Sequence, residues 1–318
     1  MKKYTIIRTV LALCISLGVS GCRADQAEKK KKYYIFATPL YSHPIWQQAK
    51  EGFFDAMEDI DAHGDWLGPS VIDVDAMEKV VRTGVLEKAD GIITQGVLDP
   101  TVMKEAKSHG VPIVLVDSDM GPADRLCYLG KDFHRQAELF LEDIEKKLGK
   151  NVYLQTAIQA ANLDFDIAQQ QIDEIRSVFA AHPGGFEIVS LSQSMSDEVR
   201  SQKEWTQVLE DHPEINICIN FAGESGCCCY DAAERLGRED DLLIYGVDDI
   251  QHTVDYVREG KLEGTVITSF YQYGYQSVMI LESYSESNTA PSISSIKPTL
   301  LTKDSLEEAE NADENSKK

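Results

Sequence analysis

Residues 90–117 decide the fold. They open with Asp90-Gly91-Ile92-Ile93-Thr94-Gln95, continue through Asp99-Pro100 into a helical stretch closed by Gly110, and end with Pro112-Ile113-Val114-Leu115-Val116-Asp117. The two short apolar runs suit strands buried on both faces. Between them, Asp99 supplies a helix-capping side chain, Pro100 tolerates the first helical position, and Gly110 lets the chain turn out of the helix. Strand, helix and strand with no hairpin signal make a parallel crossover unit.

The same alternation extends in both directions. Tyr33 to Ala37 reads as a strand, followed by the loop Thr38-Pro39-Leu40-Tyr41-Ser42-His43-Pro44. Ile45, Trp46, Ala49, Phe53, Ala56, Met57 and Ile60 then recur at helical spacing. Val71-Ile72-Asp73-Val74 reads as the next strand, ahead of a helix carrying Val80, Val81 and Val85. Cys127-Tyr128-Leu129-Gly130 is short and suits a crossing between lobes. Phe133, Ala137, Phe140, Leu141, Ile144 and Leu148 make a helix stripe. Strands at 151–157, 186–191, 214–220, 242–247 and 264–268 then alternate with helices near 165–181, 197–211, 224–237, 253–259 and 271–285. Beyond Lys303 the chain is rich in Glu, Asp and Asn and reads as a frayed end. About ten strands with this alternation suit an α/β fold of two doubly wound lobes with parallel sheets, with a (β/α)8 barrel as the rival at this size.

The 318 residues carry 31 Lys and Arg against 53 Asp and Glu, a net charge of −22. That balance disfavours nucleic acid and anionic membrane surfaces as partners, because both need a basic footprint. Residues 1–21 read as a signal peptide: Lys2, Lys3 and Arg8 precede an apolar run too short to span a bilayer. Val19-Ser20-Gly21-Cys22 resembles a bacterial lipobox, in which cleavage precedes a cysteine that becomes lipidated; the alternative is an ordinary secretory signal with an incidental Cys22. Residues 22–32 read as anchor and tether. The expected location is therefore the extracytoplasmic face of a cell membrane, anchored and not spanning.

Cys127, Cys218, Cys227, Cys228 and Cys229 remain after the signal and anchor. Zinc is disfavoured because no CxxC or HxxxH spacing occurs, and the simpler reading is small packing residues on a helix facing a sheet. No metal or cofactor is expected.

In open α/β sheets, ligands sit beyond the carboxyl ends of the strands. Those ends carry Tyr41, Ser42, His43 and Trp46, then Gln95, Asp117 and Asp248, with Thr268 near the last crossover. Carboxylates and amides bond several hydroxyls of one small ligand while an indole covers its C–H face. Each residue has a structural alternative: Trp46 as core, His43 as plain loop, Asp117 and Asp248 as helix caps, Gln95 as a strand end. Catalytic signatures are absent: no GxGxxG follows a strand, and there is no GxxxxGK[ST], GxSxG or HExxH. Gly223-Glu224-Ser225-Gly226 lacks the spacing of a nucleophile elbow. An enzyme is not expected; two carboxylates acting on a glycoside remain the rival chemistry.

The opening strand, loop and helix, Thr38 to Trp46 followed by Lys50-Glu51-Gly52, resembles that of the type I periplasmic binding proteins, particularly the ribose/galactose-type sugar binders of ABC importers. Asp90 to Ile93, Gly110 to Asp117, Tyr245-Gly246-Val247-Asp248-Asp249, Arg258 to Val266 and Gln272-Tyr273-Gly274 resemble further family segments in order and spacing. The resemblance implies two Rossmann-like lobes joined by a three-strand hinge: 33–131 plus 269–297, and 132–268 plus 298–306, with 307–318 as an acidic tail. It implies a small-molecule, sugar-like ligand in the cleft. By position, His43 falls at a polar contact, Trp46 at a stacking aromatic, and Asp117 and Asp248 at hydroxyl-binding acids. Gln169 falls where relatives carry Arg, Ser225 where they carry Asn or Asp, and Ser118 where Arg is common. The implied partners are an ABC permease or a membrane sensor kinase, with the chain itself a monomer. An export signal stands where a transcription regulator of the same superfamily carries its DNA-binding segment.

Overall fold

The computed structural model describes residues 31–71 and 73–316. Cys22 and the signal peptide lie outside the described residues. Two six-stranded sheets form. The first holds β1 (Tyr33–Ala37), β2 (His63–Leu67), β3 (Gly91–Gln95), β4 (Ile113–Val116), β5 (Cys127–Lys131) and β11 (Ile293–Ile296), in the order β11-β5-β4-β3-β1-β2. The second holds β6 (Leu154–Ala160), β7 (Phe186–Gln193), β8 (Ile217–Phe221), β9 (Leu243–Val247), β10 (Gly264–Ile267) and β12 (Thr299–Leu301), in the order β12-β10-β9-β8-β6-β7. All pairings are parallel except β10 with β12. The α/β class with two doubly wound lobes is therefore observed, and the barrel is excluded.

The helices are α1 (Pro44–Asp59), α2 (Val74–Leu86), α3 (Pro100–Ser108), α4 (Phe133–Leu148), α5 (Asp166–Phe179), α6 (Glu198–Asp211), α7 (Ser225–Leu236), α8 (Gln251–Glu259), α9 (Phe270–Ser287) and α10 (Lys303–Ser316). The chain passes between the sheets three times: from β5 into α4, from β10 into α9, and from β11 to β12.

Three expectations are corrected. The second strand is His63–Leu67, not 71–74, because Asp73 instead accepts the Ala76 amide and caps α2. The strand escaped notice because it is an edge whose sequence, His-Gly-Asp-Trp-Leu, buries only Trp66. β11 and β12 add short, partly exposed strands that no apolar run announced. The acidic end is helical as α10, where Leu306 packs against the second sheet's core and Arg258 reaches Glu310 at 3.4 Å.

Each sheet is covered on both faces. In the first, Phe36, Trp46, Phe53 and Trp66 pack with Tyr273 and Leu281 on one face, while Ile35, Val81 and Ile92 pack on the other. In the second, Phe140, Ile172 and Tyr245 fill one face, and Trp205, Cys218, Cys228 and Cys229 the other. All five described cysteines are buried and unbridged, in keeping with small packing residues.

A histidine–carboxylate hydrogen bond ties the segment after α5 to α4 in the second lobe. His182 bonds Glu145 through Nδ1 at 2.9 Å and the Val152 carbonyl through Nε2 at 2.8 Å. The His182 hydrogen bond holds the Glu145 carboxyl below its ordinary value, with Lys150 assisting. A carboxyl lowered by folding stabilises the fold above its unfolded pKa of about 4.5 and loses that contribution as pH falls through the folded value. Glu145→Gln is therefore expected to melt earlier than the parent at pH 7, with the gap closing below about pH 4.5. Melting curves of both proteins from pH 7 to pH 3 check this.

Candidate functional site

The two sheets present equivalent strand ends, and each ends in an aspartate. Asp117 follows β4 and Asp248 follows β9, the same position in each strand order. Both adopt a left-handed backbone, φ 64° and 67°. Asp tolerates this region better than most residues. Both are pinned in the same way. The Asp117 amide donates to the Leu129 carbonyl and the Asp248 amide to that of Val266, one strand over. The preceding residue on that strand then bonds the aspartate's own carbonyl: Tyr128 Oη to Asp117 O at 3.1 Å, and Thr265 Oγ1 to Asp248 O at 2.7 Å. Neither aspartate caps a helix. Asp117 leads toward β5, and Ile250 occupies the cap position of α8 without a side-chain bond.

The carboxylates differ in surroundings. Gln95 Nε2 donates to Asp117 Oδ2 at 2.8 Å, so the structure brings these two predicted residues together. The Asp248 carboxylate takes no hydrogen bond from the described residues. Burial pushes its carboxyl above the usual range; the Lys131 ammonium opposes that shift, and the charges of Asp249 and Asp117 add to it.

Beside Asp248 lies a cavity of about 80 Å³. Lys131, Asn162, Asp248 and Thr268 give it polar walls, and Phe165 and Phe221 give it aromatic ones. Gln136 and Gln171 also line it and bond each other at 3.1 Å. Thr268 and Asp248 were expected here; Lys131, Asn162, Phe165 and Phe221 were not. Lys131 is the last residue of β5, a strand end that the sequence reading did not extend to it. Phe165 precedes α5 and is 55% exposed, a solvent-facing aromatic at a strand-to-helix junction.

The other expected residues spread over three environments. Tyr41 and His43 are exposed on the loop between β1 and α1, with Lys50 Nζ 5.4 Å from the Tyr41 ring centre. Gln169 is exposed on α5, its amide bonded to the Leu163 carbonyl. Trp46 lies in the first lobe's core, edge-on to Phe36 and Phe270, which is its structural alternative. Ser225 is wholly buried. Its hydroxyl sits 2.5 Å from Asn220 Oδ1 and 2.8 Å from Gln159 Oε1, and Trp205 Nε1 donates to it at 3.2 Å. Ser225, Asn220, Gln159 and Trp205 are not among the residues that line the cavity.

Tyr273 was noticed only as part of a family segment. It is fully buried on α9, just past the second crossover, and its hydroxyl has no hydrogen-bond partner among the described residues. Burial and the nearby Asp117, Tyr128 and Asp248 push it well above the ordinary tyrosine value.

Such a site bonds hydroxyl or amine donors through its carboxylates and offers aromatic faces to C–H groups. No described group of three or more His, Cys, Asp or Glu side chains is arranged to hold a metal ion.

Solved structures share this architecture. A sugar-binding protein of a sugar ABC transporter from Bacillus halodurans is 19% identical over 87% of this chain and 99% of its own, with a TM-score of 0.75. An arabinose-binding protein, AraP, from Geobacillus stearothermophilus is 20% identical over 87% and 99%, with a TM-score of 0.74. XylFII in a variant XylFII–LytSN complex is 20% identical over 86% and 98%, also with a TM-score of 0.74. At these identities the likeness establishes the fold. The sequence profile of the periplasmic binding protein domain matches residues 34–289. Spanning both sheets and two of the three crossovers, that match shows that this chain belongs to the periplasmic binding protein family.

Proposed function

We propose that this chain is a lipid-anchored, extracytoplasmic solute-binding protein that captures a small carbohydrate-like ligand for an ABC importer and releases it unreacted. One observation carries the reading: equivalent strand ends, one per lobe, each present an aspartate held in the same left-handed turn. Acceptors on opposite walls suit a ligand with hydroxyls around its rim. The cavity on the second lobe, about 80 Å³, is below the ~300–1,000 Å³ of ordinary small-molecule pockets, so the facing lobe supplies the remaining wall. Hinge closure about the crossovers brings the walls together. The signal peptide and Cys22 support the anchor, which retains the protein at the membrane as a monomer. Among the described residues no helix is long and apolar enough to cross a membrane.

A sensory role, presenting the bound state to a membrane sensor kinase, is the second reading. It draws support from the structural neighbour solved as a XylFII–LytSN complex. A permease gene or a kinase gene beside this one separates the two readings.

The test is thermal melting of residues 23–318 against sugars, polyols, nucleosides and amino acids. A ligand at about 100 times its dissociation constant stabilises the fold by about 2.7 kcal/mol, a shift of several degrees. A selective shift within one sugar class is expected. A shift with amino acids alone would remove the carbohydrate reading and leave solute binding.

A further inference from the structure

Lys131 belongs to one lobe and faces the other. It ends β5 in the first sheet, yet it lines a cavity whose walls include Ala160, Val247 and Val266 from β6, β9 and β10 of the second. Basic residues close to it in sequence are paired: Arg125 with Asp119, Arg135 with Glu138, Lys147 with Asp143 and Lys150 with Glu145. Among the described residues Lys131 pairs with no acid, although it also borders a more open hollow that holds Asp132, Asp173 and Glu174. Asp248 lines the same cavity as Lys131, and its carboxylate takes no hydrogen bond from the described residues. One unpaired ammonium and one unpaired carboxylate thus share a space of about 80 Å³, where their charges balance. Asn162 and Thr268 add only neutral donors and acceptors.

We infer that Lys131 is a specificity-determining ligand contact that, together with Asp248, admits a sugar hydroxyl and rejects a charged group in its place. The inference rests on the carbohydrate reading above. A hydroxyl both accepts and donates, so one hydroxyl, or two on adjacent carbons, accepts from the ammonium and donates to the carboxylate. A protonated amine has donors only; it bonds Asp248 and meets Lys131 as a like charge. A ligand carboxylate has acceptors only; it bonds Lys131 and meets Asp248 as a like charge. Closing the lobes excludes water, which strengthens the attraction and the repulsion alike. The lysine comes from a crossover strand, so it reaches the cavity without occupying the loops that carry the other expected contacts.

The experiment is titration calorimetry at pH 7 on the protein of the melting panel and its Lys131→Met variant, which keeps the apolar stem and loses the charge. The probes are D-glucose, D-galactose, D-mannose, D-ribose, D-xylose and L-arabinose, each with its amino-deoxy derivatives, and the uronates of the three hexoses. The tightest probe for the parent is expected to be a neutral sugar. Lys131→Met should bind that sugar about tenfold more weakly, as expected for loss of a bond to a charged group, with the melting temperature retained. An amino derivative of the same sugar should then match or exceed it, because only Asp248 still carries charge. Unchanged or tighter binding of the neutral sugar by Lys131→Met overturns the inference and leaves carbohydrate binding standing. So does an amine or a uronate as the parent's tightest probe. Weakened binding with no amine gaining on the neutral sugar overturns it too, since the lysine then acts through the fold. Heat from none of the probes overturns the carbohydrate reading and the inference with it.

Discussion

Gly274→Ala is expected to destabilise the protein by about 3 kcal/mol or more, against the direction that helix propensity gives. Alanine in place of a mid-helix glycine normally gains roughly 1 kcal/mol. Here a Cβ at position 274 would lie 1.9 Å from the Ala49 carbonyl oxygen and 2.6 Å from the Phe53 amide nitrogen. Gly52 makes the reciprocal approach, since a Cβ there would lie 2.1 Å from the Tyr271 carbonyl oxygen. The two glycines let α1 and α9 cross with their backbones nearly touching. Because the atoms met are backbone, no rotamer change relieves the clash, and the helices must separate. Separation opens the core that Trp46, Phe53, Tyr273 and Leu281 share. Overpacking typically costs 1–3 kcal/mol even where side chains can adjust, so ~3 kcal/mol is the floor for a contact that cannot. For a protein of this size that lowers the melting temperature by about 5 °C. An unchanged or raised melting temperature would mean the helices are not held this closely.

The same crossing shows why some of the architecture was legible in the sequence. β1, β3 and β4 are covered on both faces, so each reads as an unbroken apolar run, and their helices show a buried stripe. Buried parallel strands therefore announce themselves. β2, β11 and β12 lie at sheet edges or on crossings, with one face partly in water, and their residues carry no run to find. The displaced second strand follows from this: Val71 and Val74 imitate a strand in sequence, whereas Val71 is 72% exposed in a loop and Asp73 is committed to capping α2. α10 was hidden for a different reason. Its sequence is acidic with little apolar period, and its attachment comes from Leu306 and from the Arg258–Glu310 pair, contacts that only the folded chain reveals.

For the candidate site, strand ends located Gln95, Asp117, Asp248 and Thr268, because the carboxyl end of a buried strand is where a polar residue becomes conspicuous. Position along a family pattern did less well at naming side-chain direction. Trp46 and Ser225 lie in the first turn of the helix that follows a strand end, yet both are buried away from the cavity. A one-residue change in phase moves a helical side chain by about 100°, which is enough to exchange cavity for core. Lys131 and Tyr273 belong to the crossovers, where neither periodicity applies. Tyr273 in particular reads as one more core aromatic until its hydroxyl is found without a partner.

Asp248→Asn is expected to weaken binding of the ligand found in the melting panel by about 30-fold, and Ser225→Ala to leave that affinity unchanged. Asparagine is the informative replacement because position 248 holds φ 67°, a conformation that would cost alanine roughly 1–2 kcal/mol by itself. Loss of one charged partner from a desolvated hydrogen-bonded contact costs about 2–5 kcal/mol, and the lower figure corresponds to about 30-fold. The fold should not suffer. Burial and the charges of Asp249 and Asp117 raise the Asp248 carboxyl despite Lys131, and a carboxyl raised by folding destabilises the native state at any pH where it is ionised. Neutralising it therefore holds or raises the melting temperature at pH 7. Ser225 behaves in the opposite way. Removing its hydroxyl deletes bonds from a buried network in which Trp205 Nε1 keeps Asn220 Oδ1 and Gln159 Oε1 keeps Ser201 Oγ, costing about 0.5–1.5 kcal/mol of stability without touching the cavity. The pair of variants thus separates affinity from stability within one lobe. An Asp248→Asn protein that binds within twofold of the parent would remove this carboxylate from the site, and a Ser225→Ala protein that folds normally but loses ligand would move the site into the network behind α7.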